Sequence, residues 1–270
     1  MIPKLSFLFI FAVSAIQAGP PKSTPIILGQ SYTIQSEILG QERRINVYLP
    51  PGSLEDKKTY PVLFLLDGGV KEDFIHVAGL ASLAADWRKI RHFIVIGIEG
   101  IDRYHELTHP SQNKKDLKNL PTSGGSAKFR AFIGKELMPW VEKHFPINDE
   151  RVIMGESVAG LFVAEIMLRE PELFQAYISI SPSLWWNDQS LAKETPELLK
   201  EKDKFKKRSV FFTMANEGGT MQGGLDMMMK AIKEHGPKSF KMTYIPMHHE
   251  THATIYHPAG LAAIRHIFSM

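Results

Sequence analysis

Apolar residues along this chain follow two rhythms. Continuous runs at residues 60–66 and 93–98 read as strands buried on both faces, and shorter ones at residues 151–154, 176–180, 210–214 and 240–246 read as further strands. Between them apolar side chains recur at helical spacing. Phe129, Phe132, Ile133, Leu137, Trp140 and Val141 predict a helix over residues 126–145, and Leu161, Phe162, Ile166 and Met167 predict another directly after Ser157. Residues 221–235 and a segment from about Pro258 supply two more. Buried strands alternating with helices imply an α/β fold, a mostly parallel central sheet with helices on both faces. Two alternating segments, residues 31–39 and 43–49, flank Gly40-Gln41 and predict an antiparallel N-terminal strand pair. Residues 101–125 hold few large apolar groups and many turn formers, so they are expected to form a long functional or disordered loop.

Composition narrows this picture. With 270 residues and 44% hydrophobic content the chain suits one large α/β domain, placed over residues 19–270. Residues 1–18 carry Lys4, an apolar stretch over residues 5–16 and small residues ending at Ala18, the pattern of a cleavable signal peptide. That stretch is shorter than the ~20 residues a membrane span needs, so the expected product is secreted or periplasmic, with no stable membrane anchor after cleavage. Cleavage removes Lys4 and no acid, taking the formal charge from +3 to +2, a balance that implies neither nucleic acid nor an anionic membrane as partner. The basic run at residues 200–208 reads as a solvated helix end. There is no cysteine, hence no disulfide framework.

The candidate chemistry centres on Gly155-Glu156-Ser157-Val158-Ala159. A strand that breaks at a serine and resumes as a helix presents the hydroxyl on a tight turn, and the residues two before and two after must be small so that strand and helix can approach. By spacing alone an ordinary turn with a capping serine fits as well. A serine hydroxyl needs a base, and the base an orienting acid. Glu217 follows the strand at residues 210–214 and His252 follows the last strand, giving the order Ser, acid, His found in α/β-hydrolases. Asp226 competes as the acid but falls within a helical pattern. Val158 and the glycine turn Gly68-Gly69 are the expected oxyanion donors, with Gly69 as the second N–H. Glu156 and Asn187 read as local hydrogen-bonding residues. His248, His249 and His257 crowd His252, but His249-Glu-Thr-His252 is one residue short of H-E-x-x-H, so no metal and no other cofactor is expected.

The motifs Gly155-Glu-Ser-Val-Ala-Gly160, Ser181-Pro-Ser-Leu-Trp-Trp186, Ala215-Asn-Glu-Gly-Gly219 and Glu250-Thr-His-Ala-Thr254 together resemble the Putative esterase family of the α/β-hydrolase superfamily. That family includes enterochelin esterases, esterase D-type enzymes and mycolyltransferases. The resemblance implies an α/β-hydrolase fold, a small-molecule ester as substrate, Ser157 as nucleophile, His252 as base and Glu217 as acid. Arg103-Tyr-His-Glu-Leu-Thr108 resembles the arginine loop of the siderophore-hydrolysing branch, and Arg103 is an expected contact for anionic substrate oxygens. Trp185 and Trp186 follow a strand end near Ser157; both could pack as core residues, but at least one is expected to line the pocket as a substrate contact. The chain departs from the family pattern at Ala159, where glycine is usual, and at His109, which intervenes before Pro110.

Overall fold

A computed structural model describes residues 23–87 and 90–270; the predicted signal peptide lies outside the described residues. The chain enters through β1 (Gln30–Ser36) and β2 (Gln41–Tyr48), then alternates strands and helices. β3 (Tyr60–Leu65) leads into α1 (Phe74–Asp86) and β4 (Ile94–Ile98). Two short helices, α2 (Arg103–Leu107) and α3 (Lys114–Asn119), precede α4 (Ser126–Phe132), a π turn (Ile133–Leu137) and α5 (Met138–His144). β5 (Ile147–Glu156), α6 (Val158–Arg169), β6 (Ala176–Ile180) and α7 (Trp186–Leu198) follow. The chain closes with β7 (Ser209–Ala215), α8 (Gly219–His235), β8 (Lys241–Met247) and α9 (Tyr256–Ile267).

The eight strands form one sheet in the order β1-β2-β4-β3-β5-β6-β7-β8. β1–β2 and β2–β4 are antiparallel, and every pair from β4–β3 onward is parallel. This is the mostly parallel sheet with an antiparallel N-terminal pair expected from the apolar pattern, and it agrees with the α/β-hydrolase fold that the family resemblance implies. The pleat explains why the central strands are apolar throughout. Successive side chains point to opposite faces, so Phe64 packs with Phe129 and Phe162 on one side, while Leu63 and Leu65 pack with Val77 and Ala259 on the other. Both faces are therefore dry, at roughly 1.5–3 kcal/mol for each large side chain buried.

Two expectations need correction. Residues 101–125 are not an unstructured loop, because α2 and α3 lie within them. Neither helix carries an apolar stripe for periodicity to reveal. The Asp102 side chain accepts from His105 N–H, the Asn113 side chain accepts from Lys115 and Asp116 N–H, and Glu106 forms a buried ion pair with Arg43 of β2. The helix predicted over residues 126–145 runs without a break from Ser126 to His144 and contains the π turn, whose Glu136 accepts hydrogen bonds from the backbone of Glu37 (3.0 Å) and Ile38 (2.9 Å) and so pins the β1–β2 hairpin. The basic run at residues 200–208 is solvated as expected but forms a 3-10 turn (Lys202–Phe205) after α7, with Phe205 buried beneath it.

Candidate active site

Ser157 stands between β5 and α6 at φ 61°, ψ −116°, a left-handed conformation that a non-glycine residue adopts only under constraint. Its N–H donates to Ile180 O (2.9 Å) and its carbonyl accepts from Leu161 N–H (2.9 Å). Close approach of strand and helix makes the turn possible. A Cβ on Gly155 would lie 2.7 Å from the carbonyl carbon and Cβ of Ala159, and one on Gly160 would lie 2.8 Å from Ile180 O. Ala159 therefore fits in place of the usual glycine because Gly155 leaves it room.

His252 reaches the serine from the turn after β8. Its Nε2 is 2.8 Å from Ser157 Oγ and its Nδ1 is 2.7 Å from Glu217 Oε1. The acid's loop and the histidine's loop are joined, since Asn216 N–H donates to Glu250 O at 3.1 Å. Asp226 sits on α8 and accepts from Gln222 at 2.8 Å instead. Ser157, Glu217 and His252 thus meet at the C-terminal ends of parallel strands, where open α/β sheets carry their chemistry. In this line of bonds, Nε2 can accept the serine proton while the carboxylate fixes the other ring nitrogen as N–H. His248 and His249 are exposed, and the described residues hold no cluster of three or more potential metal ligands.

Val158 opens α6, and its N–H is one of the four that a helix leaves without an intrahelical acceptor. The glycine turn is arranged differently from expectation. Gly68 N–H donates to Ile98 O (2.9 Å), and Gly69 N–H donates to Glu72 Oε2 (2.7 Å), so the expected second donor is held by the chain's own carboxylate. Ser183, which no spacing in the sequence singles out, lies beside the nucleophile. Its Oγ is 3.3 Å from Ser157 Oγ and its N–H donates to Ser157 O at 2.9 Å.

The serine opens onto a cleft of about 320 Å³ walled by Arg103, Tyr104, Leu120, Val158, Trp185 and Met221. A larger groove, about 650 Å³, lies at the N-terminal ends of β6, β7 and β8, away from this chemistry. The two tryptophans divide. Trp185 lines the cleft, whereas Trp186 is 1% exposed and donates Nε1–H to His109 O at 2.8 Å, so it is a core residue and not a substrate contact. His109 is itself buried behind the wall, and its Nε2 is 2.9 Å from Ser190 Oγ. Asn187, Asp188 and Gln189 take three consecutive left-handed conformations (φ 47°, 53° and 63°). Through them Asn187 receives the Gln112 N–H on its side-chain oxygen (2.9 Å) and gives its own N–H to Asp116 Oδ2 (2.9 Å). Asn187 is thereby a local hydrogen-bonding residue, as expected.

Carboxylates crowd the floor of the site. Burial pushes the Glu156 carboxyl up, against the opposing pull of His252 and Arg103, and its Oε1 lies 3.8 Å from His252 Nε2, beyond hydrogen-bond reach. Burial, reinforced by Asp67, pushes Asp73 up to about 7. Arg103 is the countercharge. Its Nε and Nη2 donate to the two oxygens of Asp67, each at 2.8 Å, and Nη2 also reaches Glu156 O at 3.3 Å. The fork expected to meet substrate is thus engaged by Asp67 along its Nε–Nη2 edge, while Arg103 still lines the cleft.

Against known proteins, residues 36–235 match the family described as Putative esterase. The chain is 30% identical over 154 residues to the ferri-bacillibactin esterase BesA of Bacillus subtilis (strain 168), covering 50% of this chain and 52% of the relative. It is 28% identical over 166 residues to a siderophore triacetylfusarinine C esterase of Aspergillus fumigatus, covering 55% and 54%. The chain therefore matches about half the length of these curated relatives. Among solved structures, an IroE-like serine hydrolase from Shewanella oneidensis superposes with a TM-score of 0.78 at 28% identity, over 89% of this chain and 80% of the other. The match runs from the hairpin through the nucleophile turn to the end of α8, and with it the chain belongs to the Putative esterase family.

Proposed function

We propose that the protein is a serine carboxylic ester hydrolase that works through an acyl-enzyme. The observation that carries this reading is the unbroken line Glu217 Oε1, His252 Nδ1, His252 Nε2, Ser157 Oγ, with both links within hydrogen-bond distance. His252 takes the hydroxyl proton as Ser157 Oγ attacks the ester carbonyl. The resulting oxyanion sits at the N-terminus of α6, against Val158 N–H, where the helix dipole favours negative charge. Gly69 N–H becomes the second donor once Glu72 releases it. His252 then passes its proton to the departing alkoxide, and water activated by the same ring nitrogen releases the acid.

The substrate class follows from the walls. Tyr104, Leu120, Trp185 and Met221 offer apolar and aromatic surface to a bulky ester, and of the relatives named above one is by name a siderophore esterase and another a ferri-bacillibactin esterase. A siderophore-type ester is accordingly the proposed substrate. One observation favours a second reading, a general carboxylesterase acting on neutral esters: Arg103, the fixed positive charge among the described cleft-lining residues, is already paired with Asp67.

Labelling of the purified protein by a fluorophosphonate probe, lost in Ser157→Ala, tests the nucleophile. Ser157→Ala should also lower ester turnover by several orders of magnitude, to the ~10³–10⁴-fold residual over water that binding and oxyanion stabilisation alone supply. A wild-type protein that the probe leaves unlabelled, or a mutant of unchanged turnover, would end the reading and leave a binding protein on a hydrolase fold. Export is part of the same proposal and rests on residues 1–18. Mass spectrometry of native material should find its N-terminus after Ala18.

A further inference from the structure

The geometry points to Arg103 as a positioning residue that clamps the oxyanion turn after β3 to the nucleophile turn after β5. The inference rests on the esterase reading and gives Arg103, which also lines the cleft, a role in holding that site together. Two turns on neighbouring strands carry residues in left-handed conformations, Asp67 at φ 50° and Ser157 at φ 61°. Such backbone persists only where its surroundings over-determine it. Arg103 supplies the bond between them, for its guanidinium spends two N–H groups on the Asp67 carboxylate (2.8 and 2.8 Å) and one on the carbonyl of Glu156 (3.3 Å), the residue before Ser157.

The root of the side chain is equally fixed. Three residues on, Glu106 forms the ion pair with Arg43, both side chains at most 4% exposed, and Arg43 Nη2 also donates to Glu99 O at 2.8 Å. α2 is thus bolted to β2 and to the end of β4, and Arg103 extends from it across the ends of β3 and β5. Asp67 is 14% exposed and lies two residues before Gly69; Glu156 lies two before Val158. The clamp therefore sets the distance between the two N–H groups that would share the oxyanion. A planar fork can hold a carboxylate and a carbonyl together, and a lysine ammonium of shorter reach and no fork cannot.

The test compares kcat and KM of wild type, Arg103→Ala and Arg103→Lys on the neutral p-nitrophenyl acetate and the anionic p-nitrophenyl hemisuccinate. A displaced oxyanion donor costs on the order of 10²-fold in turnover. Arg103→Ala should lose about that factor in kcat on both esters with KM little changed, and Arg103→Lys should recover only part of it. Affinity for a phenylboronic acid, which becomes tetrahedral in the site, should fall in parallel with kcat. Asp67→Asn serves where Arg103→Ala folds poorly: it should lose about tenfold on both esters, and the double variant should be no slower than Arg103→Ala, since the two residues act as one unit.

Loss confined to the anionic ester, or appearing in KM alone, would show a substrate contact and overturn the clamp while leaving the esterase reading intact. A lowered Tm with unchanged kcat, or strictly additive losses in the double variant, would overturn it too. Wild-type protein inert toward both esters and toward fluorophosphonate would remove the esterase reading and the clamp together.

Discussion

Glu72 Oε2 accepts the Gly69 N–H at 2.7 Å, on the atom where the fold would place its second oxyanion donor. Glu72 also gives its N–H to Gly69 O (3.0 Å), so residue and turn close on each other in the manner of a capping box, with the carboxylate reaching back to the first N–H. An oxyanion can use that donor only by displacing one anion with another.

Removing the internal acceptor should therefore release the donor. Glu72→Ala is expected to raise kcat several-fold on a small ester and to lower stability by about 1 kcal/mol through the lost capping contact. Steady-state kinetics with a thermal melt checks both halves, and a kcat equal to or below wild type would mean that Gly69 never serves the oxyanion.

Glu217→Gln should slow hydrolysis by about 10³-fold or more, because the neutral amide neither fixes the Nδ1–H tautomer nor stabilises the imidazolium. Asp226→Asn should stay near wild type, since Asp226 bonds to Gln222 and not to the histidine. If the second mutation proves the more damaging, the assignment of the acid is reversed.

Trp185 and Trp186 should separate cleanly. Trp186→Ala removes a fully buried ring and leaves His109 O without its donor, and is expected to destabilise the fold by about 3–5 kcal/mol. Trp185→Ala should leave stability nearly unchanged and raise KM for a bulky aromatic ester while sparing p-nitrophenyl acetate. Melting curves and paired KM values decide the matter, with equal effects from both mutations as the contrary result.

Asp73 makes stability depend on pH. Burial lifts its carboxyl to about 7, above the ~3.9 of an unfolded aspartate, so between those values the native state binds the additional proton. By linkage stability then falls as pH rises through that window. Asp73→Asn should flatten the fall and stabilise the protein at pH 8 by about 2 kcal/mol, roughly half the full conversion of such a shift because the group is partly screened by solvent. Denaturant midpoints at pH 5 and pH 8 for both proteins would show it; an unchanged difference between the two pH values would contradict it.

Much of this architecture could be read from the chain because its central strands are buried on both faces and so announce themselves as unbroken apolar runs. Ser157 and Glu217 were legible for a related reason: each follows such a run, and strand ends converge on one edge of a parallel sheet, where His252 joins them after the half-exposed edge strand β8. What the pattern did not reveal is held by polar bonds between residues far apart in sequence. α2 and α3 depend on side-chain caps and on a buried pair between Arg43 and Glu106, 63 positions apart. The fork of Arg103 looked free because its partner, Asp67, is 36 positions away. Adjacent tryptophans carry no mark of which faces the core; that is decided by the carbonyl of His109.

The three left-handed residues after Trp186 bear on how the cleft wall is built. They let the start of α7 grip residues 111–116 through side-chain and backbone polar atoms. The cleft wall is in that sense held at two depths, by Trp186 in the core and by a polar lattice at the surface, so a change at residues 111–116 or 187–189 reaches the wall without touching the core.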